Sequence, residues 1–160
     1  MALRTLRIAH DDILHKVSRP VVQVNDKTRE LLDDMLETMY HAGGCGLAAV
    51  QVGILRRLLV IDVSEDNDDP HEFINPEVVS HKGVQTGWEG CLSIPGRTGK
   101  VERPATTVVR AMDRFGQPFE MRCTGQLAVA LNHELDHLDG ILYTQKATEI
   151  RQQGEEDDDD

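Results

Sequence analysis

The sequence predicts an α+β fold: mixed or antiparallel strands packed around a central helix that carries an H-E-x-x-H motif, in a single compact domain. Three observations predict it. Two segments, 26–41 and 125–138, place apolar residues at helical spacing. Short strand-like runs lie between them, an order that suits helices packed on an antiparallel sheet. The 160 residues, 39% hydrophobic, contain no repeat and no Pro- or Ser-rich linker, so they suit one core.

The elements follow in chain order. Ile13, Leu14 and Val17 read as a short helical turn, and residues 20–24 as extended chain. In the first helix Leu31, Leu32, Met35, Leu36, Met39 and Tyr40 recur on one face. Asn25 can cap its start, and Gly43 and Gly44 can end it. Residues 56–63 read as a strand with 58–61 buried, and 64–70 as an acidic loop. Residues 72–79 read as extended, interrupted at Asn75-Pro76. Residues 106–112 and 117–123 form a hairpin around Asp113-Arg114-Phe115-Gly116. The second helix carries a core stripe of Leu127, Leu131, Leu135 and Leu138 and ends at Gly140. Residues 146–153 are expected to add a weak helical turn. The folded catalytic domain is placed at 1–150 and a disordered acidic tail at 151–160, because like charges repel and nothing there can pack.

Charge excludes some functions. The net charge is -11, and residues 155–160 are all acidic; without them the balance is 17 minus 22, or -5. Such a body lacks the basic patch that sequence-specific or generic nucleic-acid binding requires, and it does not suit an anionic membrane surface. No run approaches the roughly 18 apolar residues of a spanning helix. Residues 1–7 have basic side chains but no long apolar core, so no signal peptide is read and the cytoplasm is the expected address. Three cysteines without an export signal argue against a disulfide scaffold.

Chemistry concentrates in three stretches. His133-Glu134-Leu135-Asp136-His137 places two imidazoles four residues apart on one helix face, where both reach a single metal ion. Glu134 beside them can handle the proton of an attacking water. A catalytic site needs a third protein ligand and an open position. Downstream, Asp139 and Glu149 are candidates. Upstream, Cys91 in Glu89-Gly90-Cys91-Leu92-Ser93 is another, although it reads equally as a buried core cysteine. The third stretch is 44–51. It fits a dinucleotide-binding G-x-G-x-x-A pattern formally, but it follows a helix and precedes a strand, the reverse of what that fingerprint needs. A tight small-residue loop that admits a substrate chain is the better account. Gln51 then either offers an amide to a developing oxyanion or is a solvated loop residue.

Together these stretches resemble the peptide deformylase family. Its motifs G-x-G-L-A-A-x-Q, E-G-C-L-S and H-E-x-D-H stand here complete and in order at 44–51, 89–93 and 133–137, and the likeness extends over about residues 2–145. Asn75-Pro76, Arg103-Pro104 and Asp113 with Gly116 also match. The resemblance implies removal of the N-formyl group from the initiator methionine of nascent chains. It implies Cys91, His133 and His137 as ligands of one divalent ion, usually Fe(II), with zinc, nickel or cobalt as substitutes. Glu134 would be the general acid/base. Gln51 and the Leu92 backbone N–H would hold the oxyanion. The backbone of Gly44, Cys45 and Gly46 would pair with the substrate chain, with Glu89 also counted among the substrate contacts. Val129 and Ala130, one turn before His133, are expected to line the methionine pocket. Partners would be N-formylmethionyl nascent peptides and the ribosome near its exit tunnel.

Departures from the family are Asn132 where glutamine is common, Asp12 and His15 in the N-terminal stretch, Cys45 at a variable position, and a short C-terminus. Other readings remain. A protease or other amidase would use a different third ligand. A silent peptide or ribosome binder would not need Glu134. A structural zinc site would show a fourth protein ligand. Residues 66–69 lack the spacing of a calcium loop and read as a solvated turn. His10, His15, His41, His71 and His81 read as surface residues, and Trp88 either borders the site or packs in the core.

Overall fold

A computed structural model describes residues 2–152. After a 3-10 turn at Asp12–His15, helix α1 spans Asp26–His41. Asn25 caps it: its side chain accepts from the Lys27 and Thr28 amides while the Thr28 hydroxyl accepts from the Asn25 amide. The helix ends where the Gly43 and Gly44 amides donate to Tyr40 and Met39 carbonyls. Strand β1 (Gly46–Ala48) and a 3-10 turn (Ala49–Val52) lead into β2 (Leu58–Ile61), β3 (His71–Lys82), β4 (Gln85–Cys91), β5 (Ile94–Arg103), β6 (Thr106–Met112) and β7 (Pro118–Thr124). Helix α2 (Gly125–Leu138), a 3-10 turn (Tyr143–Gln145) and β8 (Glu149–Gln152) complete the chain.

The strands form two antiparallel sheets, one ordered β1-β2-β3-β6-β7 and one ordered β4-β5-β8. The period of two along a strand explains β2. Leu59 and Ile61 join the cluster around α2, with Phe73, Val109, Leu131 and Leu135. Leu58 and Val60 join the cluster under α1, with Leu31, Leu32, Met35 and Met39. Both faces of β2 are therefore buried, which is why its sequence is continuously apolar. A third cluster, with Leu14, Ile94, Val101, Leu142 and Tyr143, lies against the smaller sheet. Helix α2 is thus enclosed on most sides, and His133, Glu134 and His137 are as buried as its leucines. Among the described residues no helix is long and apolar enough to cross a membrane.

Asn75 explains both the break in β3 and the extended stretch near residue 20. It adopts φ +51, ahead of a proline that disfavours the right-handed helical region. Its side-chain amide pairs with Val21 twice: it accepts from the Val21 amide at 2.7 Å and donates to the Val21 carbonyl at 2.9 Å.

Three expectations are corrected. Residues 149–152 form an edge strand on β5, with Thr98 opposite Arg151 and Arg97 opposite Gln152, rather than a helical turn. Strand β8 therefore takes in Arg151 and Gln152, which the sequence assigned to the tail. The remaining tail, 153–160, lies outside the described residues. Within 44–51, which the sequence read as a loop, Gly46–Ala48 form β1, a run too short to signal a strand; β4 and β5 had no clear signal because glycine and charged residues dilute their alternation.

Candidate active site

The two imidazoles come from consecutive turns of α2, and their Nε2 atoms lie 3.2 Å apart. Cys91 arrives from the end of β4. There the chain reverses through Leu92 and Ser93 so that Cys91 pairs with Ile94, and the Cys91 Sγ stands 3.3 Å from His137 Nε2. All three donor atoms lie within 4.8 Å of one another. Two nitrogens each about 2.0–2.1 Å from one tetrahedral centre would sit roughly 3.3 Å apart. The spacing and the thiolate–imidazole–imidazole donor set therefore fit a divalent ion. No fourth protein donor joins them among the described residues. Asp139 is instead held at the end of α2 by Arg57, at 3.1 Å, and Glu149 is exposed on β8, opposite Lys100.

Glu134 is 4% exposed, and its Oε1 has no hydrogen-bond partner among the described residues. Burial raises its carboxyl to about 7, against the pull of His133. The carboxylate lies directly beneath Gly46: a Cβ at that position would come within 2.5 Å of Glu134 Oε2. Only glycine lets the β1 backbone approach the acid so closely.

Gln51 is buried, and its orientation is fixed. Its Oε1 accepts from the Ala48 amide at 2.9 Å. Its Nε2 therefore faces the site, donating to Ser93 Oγ at 3.1 Å and lying 3.6 Å from Cys91 Sγ. A solvated loop glutamine is excluded.

Cys91 and His133, with Gln51 and Glu134, border a cleft of about 410 Å³, and His137 is fully buried beside them. Gly44, Cys45, Gly46, Glu89, Leu92, Val129 and Ala130 all line the cleft, so the sequence-predicted substrate contacts converge there. Cys45 is a free cysteine, exposed as a residue, whose thiol is pushed above its ordinary value by desolvation and by Glu134 nearby. Trp88 lines the same cleft and is not a core residue.

Glu89, expected among the substrate contacts, lines the cleft with its carboxylate already bonded to neighbouring side chains. Its Oε1 is 2.9 Å from His133 Nδ1, and Arg103 donates to both of its oxygens at 2.8 and 2.9 Å. With its carboxylate fully engaged, it orients a ligand histidine. Burial alone would raise its carboxyl, but the bonds from Arg103 and His133 hold it at about 2. Arg103 also donates to Asp136 at 2.7 Å, and Lys146 donates to Asp136 from the other side. The sequence reading gave Arg103 no role in the site. The available signal was two buried-motif acids, Glu89 and Asp136, with no cation in their own motifs. His137 Nδ1, by contrast, has no partner among the described residues.

The network yields a stability prediction. Glu89→Gln leaves Arg103 buried with one carboxylate fewer, and is expected to lower unfolding free energy by about 3–5 kcal/mol at neutral pH. The Glu89 pKa falls from 4.5 in the unfolded chain to about 2 in the folded one. Its contribution is therefore complete above about 4.5 and is lost as pH falls through about 2. Urea unfolding of wild type and variant should show the gap closing over that window. A gap constant down to pH ~2 would refute the assignment.

The polypeptide deformylase family model matches residues 3–153. A peptide deformylase of Lachnoclostridium phytofermentans is 56% identical over 146 residues, covering 91% of this chain and 90% of that protein. One from Acetivibrio thermocellus is 53% identical over 91% of this chain and 84% of that protein. A crystal structure of a Legionella pneumophila peptide deformylase superposes with TM-score 0.89 at 41% identity, covering 92% of this chain and 87% of that one. A Synechococcus elongatus peptide deformylase in complex with actinonin gives 0.88 at 39% identity, covering 90% of this chain and 80% of that one. With the Cys–His–His cluster and the buried acid beside it in place, the chain belongs to the peptide deformylase family.

Proposed function

We propose that the protein is a metal-dependent amide hydrolase that removes the N-formyl group from the N-terminal methionine of nascent polypeptides, releasing formate. The observation that carries this reading is the clustering of Cys91, His133 and His137 beside a cleft that Cys91, His133 and Glu134 line, with Glu134 buried and its Oε1 without a hydrogen-bond partner among the described residues. Cys91, His133 and His137 would hold a divalent ion, which would supply Lewis acidity and a water of lowered pKa. Fe(II) is the ion we assign in the cell, and the mixed sulfur and nitrogen donors also suit zinc, nickel or cobalt.

The chain's own residues do the rest. Glu134 takes the proton of the attacking water and hands it to the departing amine nitrogen; a carboxyl held near 7 suits both transfers. Gln51 Nε2 and the Leu92 backbone N–H donate to the formyl oxygen as its charge grows. Among the described residues β1 is an edge strand, and we assign to its free edge, with the Gly44–Cys45 stretch that leads into Gly46, strand-like pairing with the substrate. Val129 and Ala130 border the space for the methionine thioether. We assign the protein to the cytoplasm, acting on chains as they leave the ribosome.

Formate release from a formyl-methionyl peptide by Fe(II)- or Ni(II)-loaded protein, purified without oxygen, tests the reading. Release supports it, and none from fully loaded protein refutes it. Gln51→Ala should lower kcat by about 10²–10³ at full metal loading, the usual loss for an oxyanion donor. Steady-state kinetics would check this, and an unchanged kcat with a raised KM would assign Gln51 to ground-state binding instead.

A further inference from the structure

Tyr143 lies beyond the end of α2, yet its ring stacks on the imidazole of His133, with centres 6.0 Å apart and planes 27° apart. That separation is within the range of about 4.5–7 Å at which paired rings interact. The fold brings the side chain back along the helix. Gly140, at φ +76, turns the chain after α2, where a Cβ would come within 2.5 Å of the His15 carbonyl oxygen. The Leu142 amide then donates to Gln145 Oε1 at 2.8 Å, closing the 3-10 turn. The Thr148 amide donates to the Lys100 carbonyl at 2.9 Å and ties the far side of the turn to β5. The ring also packs on Gly99 of β5, where a Cβ would meet Tyr143 Cε2 at 2.6 Å.

Tyr143 is 1% exposed and shares an apolar cluster with Leu14, Ile94, Val101 and Leu142, against which Cys91 packs. Its hydroxyl has no hydrogen-bond partner among the described residues. A buried hydroxyl without a bond contributes nothing favourable, so what this position supplies is the flat ring. Glu89 leaves work for such a ring. Its bond to Nδ1 sets the tautomer of His133 and pins one ring atom. The imidazole can still tilt about that atom, and a tilt moves Nε2, the donor. A second ring stacked on its face opposes the tilt.

We propose that Tyr143 is a positioning residue for the metal: its ring sets the plane of His133 and so aims Nε2 at the ion. The proposal rests on the reading of Cys91, His133 and His137 as metal ligands.

The test titrates Co(II) alone into metal-free protein against a chelator and records the Co(II) absorption bands, which report ligand geometry. Affinities are taken per folded protein, measured by far-UV circular dichroism. Tyr143→Leu stays apolar but removes the ring, and should weaken binding about tenfold and shift the bands. Tyr143→Phe keeps the ring and should stay within about twofold of wild type with the same bands. Gly99→Ala keeps Tyr143 but presses a methyl on its ring, and should shift the bands even if Tyr143→Leu fails to fold. Val101→Ala loosens the same cluster, and should lower resistance to urea while leaving affinity and bands unchanged. A folded Tyr143→Leu protein that matches wild type in both readouts overturns the proposal, as do unchanged bands in Gly99→Ala. So does a Tyr143→Phe protein as impaired as Tyr143→Leu, which would make the hydroxyl the working group. A Val101→Ala protein equally impaired would reduce the effect to packing and overturn it too. Wild type that binds no Co(II) sinks the metal-ligand reading as well; in every other outcome that reading stands.

Discussion

Glu134→Gln is expected to lower kcat by about 10²–10⁴ while the protein keeps its full complement of metal. The amide has nearly the shape of the carboxylate, so it fits beneath Gly46, where there is no room for anything larger. It cannot take a proton from water, and that is the function removed. Stability should move the other way or stay level. Glu134 is 4% exposed and its Oε1 lacks a partner among the described residues, so ionising it inside the protein is costly. Burial raises its carboxyl to about 7, above the 4.5 of the free group. By linkage, a group with a raised acid pKa subtracts stability as pH rises past its unfolded value. Glutamine removes that penalty, so the variant should be at least as stable as wild type at pH 7 and the difference should vanish below pH ~4. Such opposition between activity and stability is expected where a site holds a group in an unfavourable state. Single-turnover formate release, metal analysis and urea unfolding measure the three quantities. A variant that keeps kcat within tenfold of wild type would remove Glu134 from the proton path.

The sequence was legible where one physical signal dominated. Both long helices have the bounds their apolar periodicity and caps predict, 26–41 and 125–138, and β2 was plain because both its faces are buried. The small sheet was not legible. β4 and β5 contain Gly87, Gly90, Gly96 and Gly99 among charged residues, and each of these strands has a face that solvent reaches, so neither periodicity nor composition marks them. β8 was misread for a related reason: four polar or exposed residues form a strand only because β5 offers an edge. The site divides in the same way. Two ligands on one helix are visible as i, i+4 spacing. Cys91 stands over 40 residues upstream, and spacing alone could not choose it over Asp139 or Glu149. The family likeness chose it, and the three-donor cluster agrees. The pairing of Arg103 with Glu89 depends on the tertiary fold: the two side chains meet although Glu89 stands opposite Gly99 and Arg103 opposite Gln85 in the register.

Cys91→Ala should abolish tight metal binding, and activity with it, and so leave a different signature from Glu134→Gln. His133 and His137 remain 3.2 Å apart on α2, but two imidazoles fall short of the three protein ligands a catalytic site needs. Loss of an outer-shell partner already costs about 10–100-fold in metal affinity, so loss of the thiolate itself should cost at least about 100-fold. The fold should tolerate the change. Cys91 is only partly buried, in a hairpin whose Cys91–Ile94 pairing is made by backbone, and Gln51 keeps its bonds to Ala48 and Ser93. Metal content after gel filtration against a chelator, together with far-UV circular dichroism, would separate ligand loss from unfolding. Saturating metal should restore part of the lost rate in Cys91→Ala and none of it in Glu134→Gln, because only the first defect is one of occupancy. A Cys91→Ala protein that retained its metal through the chelator would require another third ligand. Asp139 is tied to Arg57 beyond the end of α2, and Glu149 is exposed on the edge strand β8. Either could reach the histidines only if β8 or the end of α2 were rebuilt, and the circular dichroism spectrum would register that change.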